Sequence, residues 1–316
     1  MKILVIGGAG YIGSHVTYEL CDQGYDVTVL DNLSTGFIEN VDVRANFIQN
    51  SFLNENILNK ILKNTDCVIH LAALKAAGES MDNPILYSEH NILHSISLIN
   101  SCVKNNVKNF IFSSTAAVYG YADYLPVDEK HKLNPINYYG FTKLFIENQL
   151  LWYNKLKGLN IALLRYFNAA GYDIKGRLTT KEKNPQNLLP LVMEVANGQR
   201  DKLFVFGGDY NTPDGTCLRD YIHVNDLARG HLRAVELLPK RNNIITNLAT
   251  GNSHSVLDVI NTAREITKKD IDYMIIERRE GDPEELYAKS NNVLNFQNKF
   301  SDLETIIKSM WNIYKK

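Results

Sequence analysis

Short apolar runs alternate with longer amphipathic stretches through the first half of the chain. The runs are rich in Ile, Val, Leu and Phe without an alternating polar face, which is typical of parallel strands buried on both sides. They predict strands at residues 3–6, 27–30, 45–48, 67–71, 110–113 and 161–165. The amphipathic stretches predict helices at residues 11–23, 55–63, 85–105 and 137–156. This repetition predicts an α/β fold with a Rossmann-type, doubly wound parallel sheet and helices on both faces.

The alternation breaks after residue 168. Residues 171–184 are polar and contain glycine, and residues 207–215 are rich in turn-forming residues, so both predict loops. Further regular elements are expected as a helix, a strand, a helix and a strand at residues 187–197, 203–206, 226–237 and 244–248. The last of them is expected to return to the first sheet.

This change of pattern divides the chain into two predicted domains. The first is a Rossmann-type domain over residues 1–168, with a returning segment near residues 219–250. The second is a smaller, discontinuous mixed α/β domain over residues 169–316. A chain of 316 residues with 45% apolar content is long enough for about two domains with a sizeable core.

Charge and cysteine usage restrict the classes of function. The 34 basic and 35 acidic side chains nearly cancel, so we expect neither nucleic-acid nor membrane-surface binding. The four cysteines form no C-x-x-C pair, which favours reduced thiols in a cytoplasmic protein. The chain enters a strand at once and has no apolar run near the ~18 residues of a membrane span. The histidines lack a ligand spacing, so no metal site is expected.

Glycines follow the first predicted strand at Gly7, Gly10 and Gly13 and open the first predicted helix. Glycine permits a tight turn and lets a phosphate approach the backbone. The helix N-terminus then presents N–H groups and a partial positive charge to a pyrophosphate. This strand–turn–helix setting predicts a dinucleotide cofactor.

An acidic residue, Asp31, closes the second predicted strand. Its carboxylate can accept hydrogen bonds from both ribose hydroxyls and would repel a 2′-phosphate, so NAD is favoured over NADP. The alternative interpretation is an ordinary strand-end turn, because residues 31–34 have turn-forming composition. The glycines upstream favour the cofactor.

A tyrosine and a lysine, Tyr139 and Lys143, are spaced i, i+4 on a predicted helix and therefore share one face. A nearby ammonium group favours the phenolate form of tyrosine, which makes Tyr139 a candidate general acid/base. The same spacing also occurs by chance on surface helices.

Hydroxyl residues end the strand predicted at residues 110–113, among them Ser113 and Thr115. Ligands of open parallel sheets bind at the carboxyl ends of the strands, where such hydroxyls can hydrogen-bond a sugar. The alternative is that they cap the next element.

These residues together resemble the extended short-chain dehydrogenase/reductase superfamily, and within it the UDP-galactose (UDP-glucose) 4-epimerase family. The resemblance covers nearly the whole chain, at residues 7–15, 71–79, 109–120, 139–143, 163–168, 187–190, 206–209, 214–227 and 278–282. It implies NAD as cofactor and a UDP-sugar as substrate. It also implies a hydride shuttle at C4 through a 4-keto sugar, and commonly a homodimer.

The resemblance also implies a role for individual residues. The catalytic residues would be Tyr139, Lys143 and Thr115. Cofactor contacts are expected from Gly7, Gly10, Tyr11, Ile12, Gly13, Asp31, Asn32, Ser51, Lys75, Asn91, Ser113, Tyr139, Lys143 and Tyr166. Substrate contacts are expected from Asn168, Asn187, Leu188, Phe204, Phe206, Arg219, Arg279 and Asp282.

The chain departs from the family pattern at several positions. Thr115 stands where serine is frequent, and Ser51 stands where an acidic residue often contacts the adenine. Leu286 falls at a position that is thought to limit sugar size. A leucine there disfavours N-acetylated sugars less strongly than a tyrosine, so the breadth of substrate use stays open. The two phenylalanines assigned to the uracil, Phe204 and Phe206, have the alternative of being core residues.

Four other functions are compatible with parts of the pattern. A nucleotide-sugar 4,6-dehydratase or decarboxylase usually has acidic residues after the threonine, where this chain has Ala116 and Ala117. A 4-epimerase for UDP-pentoses, UDP-glucuronate or UDP-N-acetylhexosamines would use the same arginines. An ordinary dehydrogenase would release NADH. A non-catalytic NAD-binding protein would not need Tyr139, Lys143 and Thr115 together.

Overall fold

Four sheets and the helices around them make up the computed structural model, which describes residues 1–183, 185–279 and 281–315. The strands are β1 (Lys2–Ile6), β2 (Asp26–Asp31), β3 (Asn46–Gln49), β4 (Cys67–His70), β5 (Asn109–Thr115), β6 (Asn160–Tyr166), β7 (Asn168–Ala170), β8 (Leu203–Phe206), β9 (Leu218–Arg219), β10 (Tyr221–His223), β11 (Asn243–Leu248), β12 (His254–Ser255), β13 (Tyr273–Ile276) and β14 (Glu285–Leu286). Three positions named above lie outside the described residues: Asn184 in the predicted loop, Glu280 in the segment 278–282, and the C-terminal Lys316.

The helices lie on both faces of the largest sheet and in the C-terminal part of the chain. They are α1 (Tyr11–Asp22), α2 (Glu55–Leu62), α3 (Ala77–Asp82), α4 (Pro84–Tyr87), α5 (His94–Lys104), α6 (Tyr138–Lys157), α7 (Leu188–Ala196), α8 (Val224–Arg241), α9 (Val256–Thr267) and α10 (Leu303–Tyr314). Within the described ranges, none of them is long and apolar enough to cross a membrane.

The largest sheet has the spatial strand order β3-β2-β1-β4-β5-β6-β11, and all of its neighbouring strands are parallel. The predicted Rossmann-type fold is confirmed. Both faces of β1 are buried, since Ile3 and Val5 belong to one apolar core and Leu4 and Ile6 to another. Because parallel strands end at a common edge, the loops after β1, β2, β4, β5 and β6 are gathered there.

The helix predicted over residues 85–105 is present, but its α-helical regularity is interrupted by a π turn. The segment consists of α4, a π-helical turn (Ser88–Leu93) and α5. A π turn holds one more residue than an α turn and changes which side chain faces inward. Here the turn contains Asn91, which is buried and bonds the backbone N and O of Leu74 at 2.9 and 3.0 Å. A long-range contact therefore overrides the local periodicity.

A separate apolar core lies among α7, α9 and α10. It includes Leu189, Val192, Ile260 and Met310, together with Val205 of β8. Strand β8 pairs with β13, and the short strand β9 pairs with β12 and β14. The division of the chain near residue 168 stays a prediction, and β11 lies at the edge of the first sheet beside β6.

A buried ion pair joins α6 to this first sheet. Side chains of Glu147 on α6 and Arg165 on β6 are only 2% and 4% exposed. Glu147 Oε2 accepts from Arg165 Nη2 at 2.7 Å, and Oε1 accepts from Arg165 Nε at 3.0 Å and from Ser114 Oγ. Arg165 Nη1 also donates to the Tyr119 hydroxyl at 3.1 Å. Each charge depends on its partner, because an unpaired ion buried in a protein is strongly unfavourable.

The substitution Glu147→Ala is expected to lower the free energy of unfolding by about 3–5 kcal/mol, because it leaves the Arg165 guanidinium buried without its carboxylate. Urea unfolding measures this loss. Glu304→Ala is the matched control, since it removes the exposed Glu304–Lys308 pair of α10, which has a similar 2.8 Å separation. The control should change stability little. Equal losses in the two variants would contradict the assignment of the effect to burial.

Candidate active site

The turn between β1 and α1 brings backbone atoms unusually close together. Gly7 has a φ of +82°, and a Cβ atom added at Gly13 would lie 2.1 Å from the Gly7 carbonyl oxygen. Helix α1 follows Gly10 as its N-cap, without a side-chain cap or an acidic residue in its first turn. Amides in a first helical turn lack an intrahelical acceptor. Those of Tyr11 and Ile12 can therefore receive an anion, and the cradle fits a pyrophosphate.

Asp31 ends β2 beside this turn and is 8% exposed. Its Oδ2 accepts the N–H of Ala9 at 3.0 Å, and its Oδ1 accepts the N–H of Leu33 at 2.8 Å. Carboxylate oxygens have further lone pairs, so ribose hydroxyls can still be bound. Asn32 lies exposed next to it and accepts the N–H of Ser34 at 3.0 Å. The backbone thus holds the Asp31 carboxylate in place next to the glycine turn.

Three more residues predicted to support the cofactor lie after β3 and β4 or in the π turn. Ser51 Oγ accepts a backbone N–H of its own turn at 3.2 Å. Asn91 holds the backbone of Leu74 in the loop after β4. Lys75, the next residue, makes an ion pair with Glu182, with Nζ and Oε1 2.7 Å apart. Asn91 therefore acts on the site by shaping the loop that carries Lys75.

The predicted catalytic residues meet where α6 begins beside the end of β5. Lys143 Nζ donates to the Ser113 carbonyl oxygen at 2.9 Å and lies 5.9 Å from the centre of the Tyr139 ring. The Thr115 hydroxyl lies near the Tyr139 hydroxyl and acts to lower the pKa of that phenol. Thr115 Oγ1 also accepts the N–H of Ala117 at 3.2 Å, so this hydroxyl caps the following 3₁₀ turn (Ala116–Val118) as well.

The protonation of this group is set by burial. Burial raises the pKa of Tyr139 to about 12, and the Thr115 hydroxyl acts in the opposite direction. Burial also lowers the pKa of Lys143 to about 7. A phenol with so high a pKa is a poor base near neutral pH, and positive charge beside it favours the phenolate. The arrangement is therefore suited to proton transfer once a cationic group is present.

Tyr166 ends β6 in register with Thr115 of β5. Its hydroxyl bonds Nε2 of His231, and a hydrogen bond with Ser113 opposes the burial that raises its pKa. His231 Nδ1 lies 2.8 Å from the Leu227 carbonyl oxygen, and burial lowers the pKa of this histidine to about 4. The ring is therefore neutral and protonated on Nδ1, so Tyr166 is the donor to Nε2. The predicted cofactor contacts Ser113 and Tyr166 lie together.

Four residues predicted to bind the UDP part form one connected cluster. Arg219 Nη2 donates to Asp282 Oδ1 at 3.0 Å and to the Pro283 carbonyl oxygen at 2.6 Å. The N–H of Asp282 donates to the Arg279 carbonyl oxygen at 3.3 Å. The Arg279 guanidinium lies 4.1 Å from the centre of the Phe206 ring. Two guanidinium groups and an aromatic ring suit a diphosphate and a base.

The other residues predicted to contact substrate lie on nearby elements. Phe204 is 48% exposed and is therefore not a core residue. Asn187 is the N-cap of α7, makes no side-chain capping bond and is exposed, whereas Leu188 packs against the second core. Asn168 Nδ2 donates to the Asp220 carbonyl oxygen at 2.9 Å. The substrate roles of these residues stay predictions.

Leu286 links the cluster around Arg219 to the catalytic group. It lies in register with Arg219 across the β9–β14 pair. Its side chain is 8% exposed and belongs to an apolar cluster with Ala116 and Phe167. Since Ala116 directly follows Thr115, this apolar cluster joins the strand beside Arg219 to the segment that carries Thr115.

Sequence reasoning missed several residues that hold this site in place. Ser80 Oγ accepts the N–H of Tyr139 at 2.9 Å, and the buried Asp220 carboxylate accepts the N–H groups of Thr250 and Gly251, each at 2.9 Å. Burial raises the pKa of Asp220 to about 6. Among the residues that hold the site in place, Glu147 alone could have been suspected from the sequence, because it follows Lys143 by one helical turn.

Comparison with known proteins agrees with this geometry. Residues 3–249 match the NAD dependent epimerase/dehydratase family. A UDP-glucose 4-epimerase from Halalkalibacterium halodurans is 41% identical over 322 residues, which cover 100% of this chain and 96% of that protein. The crystal structure of UDP-glucose 4-epimerase from Brucella ovis in complex with NAD has a TM-score of 0.96 and 41% identity, covering 99% of this chain and 98% of that one. The structure of UDP-glucose 4-epimerase from Bifidobacterium longum in complex with NAD+ and UDP has a TM-score of 0.94 and 36% identity, covering 99% and 98%. This chain belongs to the NAD dependent epimerase/dehydratase family.

Proposed function

We propose that this protein is an NAD-dependent isomerase that inverts C4 of a UDP-hexose, interconverting UDP-glucose and UDP-galactose through a transient 4-keto sugar. The observation that carries the proposal is the group formed by Tyr139, Thr115 and Lys143 at the end of β5. Full-length similarity to UDP-glucose 4-epimerases supports the same reaction.

NAD fits the residues present at the edge of the large sheet. The glycine turn leaves no space for a Cβ atom at Gly13, and the start of α1 can receive a pyrophosphate. Asp31 can bind the ribose hydroxyls. When bound, NAD supplies a hydride acceptor that later returns the hydride, so no external redox partner is needed.

The protein's own side chains move the proton. Tyr139 accepts the proton of the 4-hydroxyl group while C4 loses a hydride and the C–O single bond becomes a carbonyl. Thr115 hydrogen-bonds the same 4-hydroxyl group. When Lys143 is protonated, its ammonium group favours the phenolate that takes the proton. After the sugar has turned, the hydride returns to the opposite face and Tyr139 gives the proton back to the oxygen.

The nucleotide must stay bound while the sugar turns. Arg219 and Arg279 provide charge for a diphosphate, and their places are held by Asp282 and Phe206. The proposed sugar pocket is bounded by Leu286, an apolar side chain that offers the sugar no hydrogen bond. Anchoring at one end with an apolar wall at the other permits two sugar orientations without loss of the intermediate.

Other functions are less well supported. Ala116 and Ala117 cannot transfer the protons that a 4,6-dehydratase requires. A 4-epimerase of another UDP-sugar would use the same anchor, and only the space beside Leu286 would distinguish it. The deciding assay incubates the purified protein with a panel of UDP-sugars, including a pentose, a glucuronate and an N-acetylhexosamine, without added reductant. We expect C4 epimers of the hexoses with no net NADH. Net NADH would indicate a dehydrogenase, and inactivity with bound NAD would indicate a non-catalytic protein.

Tyr139→Phe is expected to retain fold and NAD but to lose on the order of 10²–10⁴-fold in kcat, since it removes a positioned acid/base. Tyr138→Phe is the matched control. That neighbouring hydroxyl bonds Ser88 Oγ at 2.6 Å, away from Lys143, and its loss should leave kcat nearly unchanged. Epimerisation rates of both variants test the assignment, which near-normal turnover of Tyr139→Phe would refute.

Asp31→Ala should weaken NAD binding much more than UDP binding, because the carboxylate is predicted to contact the ribose and is bonded to the glycine turn, whereas Arg219 is bonded to Asp282. Isothermal titration with each ligand measures the two affinities. Equal losses of both affinities would show general misfolding and would count against a specific ribose contact.

We also propose that two copies associate through the face formed by α6, α4 and the π turn. Exposed apolar side chains lie there: Phe141 and Trp152 on α6, Ile85 on α4, and Leu93 in the π turn, at 44%, 55%, 84% and 61% exposure. The hydrogen bond between Tyr138 and Ser88 joins these elements. Contiguous exposed apolar surface is typical of an interface.

We further propose that the protein is a cytoplasmic enzyme of galactose metabolism. Its four free cysteines support the cytoplasmic location.

Ile85→Glu combined with Trp152→Glu is expected to convert a dimer into a monomer, because two charges would be buried without partners in the interface. Light scattering coupled to gel filtration gives the mass directly. Val43→Glu is the control, since Val43 is 98% exposed in the loop before β3. A dimer that persists in the double variant would place the interface elsewhere.

A further inference from the structure

Adjacent residues of the segment 181–183 reach separate loops at the carboxyl edge of the large sheet. We call this segment the strap. Glu182 Oε1 accepts from Lys75 Nζ at 2.7 Å, in the loop after β4. Lys183 Nζ lies 4.5 Å from the centre of the Phe37 ring, in the loop after β2. The strap therefore connects two loops that flank the predicted cofactor site.

Both ends of this connection are tied to the rest of the site. The N–H of Phe37 donates to the Ala9 carbonyl oxygen in the glycine turn at 3.1 Å. On the other side, the backbone just before Lys75 is held by Asn91. Since NAD-type ligands bind outside the carboxyl ends of β1, β2 and β4, these contacts lie around the cofactor rather than at the sugar.

The strap itself has a firm attachment to the C-terminal part of the protein. Lys181 Nζ lies 4.9 Å from the centre of the Tyr314 ring on α10. Leu178, just before the strap, is 2% exposed. The chain enters this segment after Gly171, whose carbonyl oxygen accepts from the Tyr11 hydroxyl of α1 at 2.6 Å. Glu182 thus approaches Lys75 from a supported backbone.

The charge and exposure of Lys75 and Glu182 leave the lysine able to bind a ligand. The Lys75 side chain is 59% exposed and the Glu182 side chain 16% exposed, so the lysine is the partner that a ligand can reach more easily. An ammonium group has three N–H donors, and the bond to Glu182 uses one. The other donors remain available to an anionic or hydroxyl-bearing ligand. A lysine whose position is held in advance loses less side-chain entropy when a ligand binds.

We propose that Glu182 is a positioning residue that holds Lys75 at the edge of the cofactor site and thereby slows the dissociation of NAD. The inference rests on the proposed function only for the identity of the cofactor. Glu182 itself need not touch NAD, because it acts through the lysine.

The test measures exchange of bound NAD, without turnover. Wild type and Glu182→Gln, each loaded with NAD, are mixed with excess isotopically labelled NAD, desalted at intervals and analysed by mass spectrometry. We expect about three- to fivefold faster exchange in Glu182→Gln at low salt, the size of effect typical of a partly exposed ion pair. Glu304→Gln, which breaks the remote exposed pair with Lys308, should exchange as wild type does.

Two further readouts separate positioning from general loosening of the segment. At about 1 M salt the difference between wild type and Glu182→Gln should nearly disappear, because the pair is then screened in the wild type as well. In a Lys75→Met background, Glu182→Gln should have no further effect on exchange, since the partner through which it acts is gone. Additive effects, or an acceleration that salt does not reduce, would overturn the inference.

The outcome is independent of the epimerase assay. Wild-type exchange rates in Glu182→Gln would overturn the inference whatever the turnover. Faster, salt-dependent exchange in a protein that does not epimerise any UDP-sugar would support the inference and overturn the proposed function.

Discussion

The chemistry of this protein depends on a lysine and a tyrosine that are held together out of water. Lys143 is 4% exposed, and its Nζ donates to the carbonyl oxygen of Ser113. Exclusion of water disfavours the charged forms of both groups, raising the pKa of Tyr139 to about 12 and lowering that of Lys143 to about 7. The same hydrogen bond fixes α6 against the end of β5. Packing of this helix on the sheet therefore also brings the amine and the phenol together, and the Glu147–Arg165 pair one turn further along α6 holds the helix in place.

In the rest of the site, the residues predicted to bind the nucleotide are distinct from the catalytic group. In the cluster predicted to bind the UDP part, guanidinium groups are bonded to a carboxylate or stacked on a ring, so their directions are set before any ligand arrives. Preorganised donors lose little entropy on binding. Leu286 and Ala116 belong to one buried apolar cluster, which joins the strand beside Arg219 to the segment that follows Thr115.

Much of the fold was predictable because its strands are buried on both faces, which leaves uninterrupted apolar runs such as residues 110–113. The helix predicted over 85–105 forms, but the π turn within it was not predictable, because it accompanies a contact of Asn91 with Leu74 that periodicity does not record. In the candidate site, Tyr139 and Lys143 could be paired because they lie one helical turn apart. The partnership of Lys75 with Glu182 could not, because the two are 107 positions apart in the chain.

The sequence by itself determined the local features of this protein: the glycines of the first turn, the acidic end of β2, the tyrosine–lysine spacing and the parallel α/β class. Each of these depends on residues within a few positions of one another, where backbone geometry dictates what they can form. Only the tertiary structure decided that Arg165 neutralises Glu147, that Leu286 lies between Arg219 and Ala116, and that Glu182 reaches Lys75. Those contacts join segments whose proximity arises from packing of the whole chain, so no local pattern contains them.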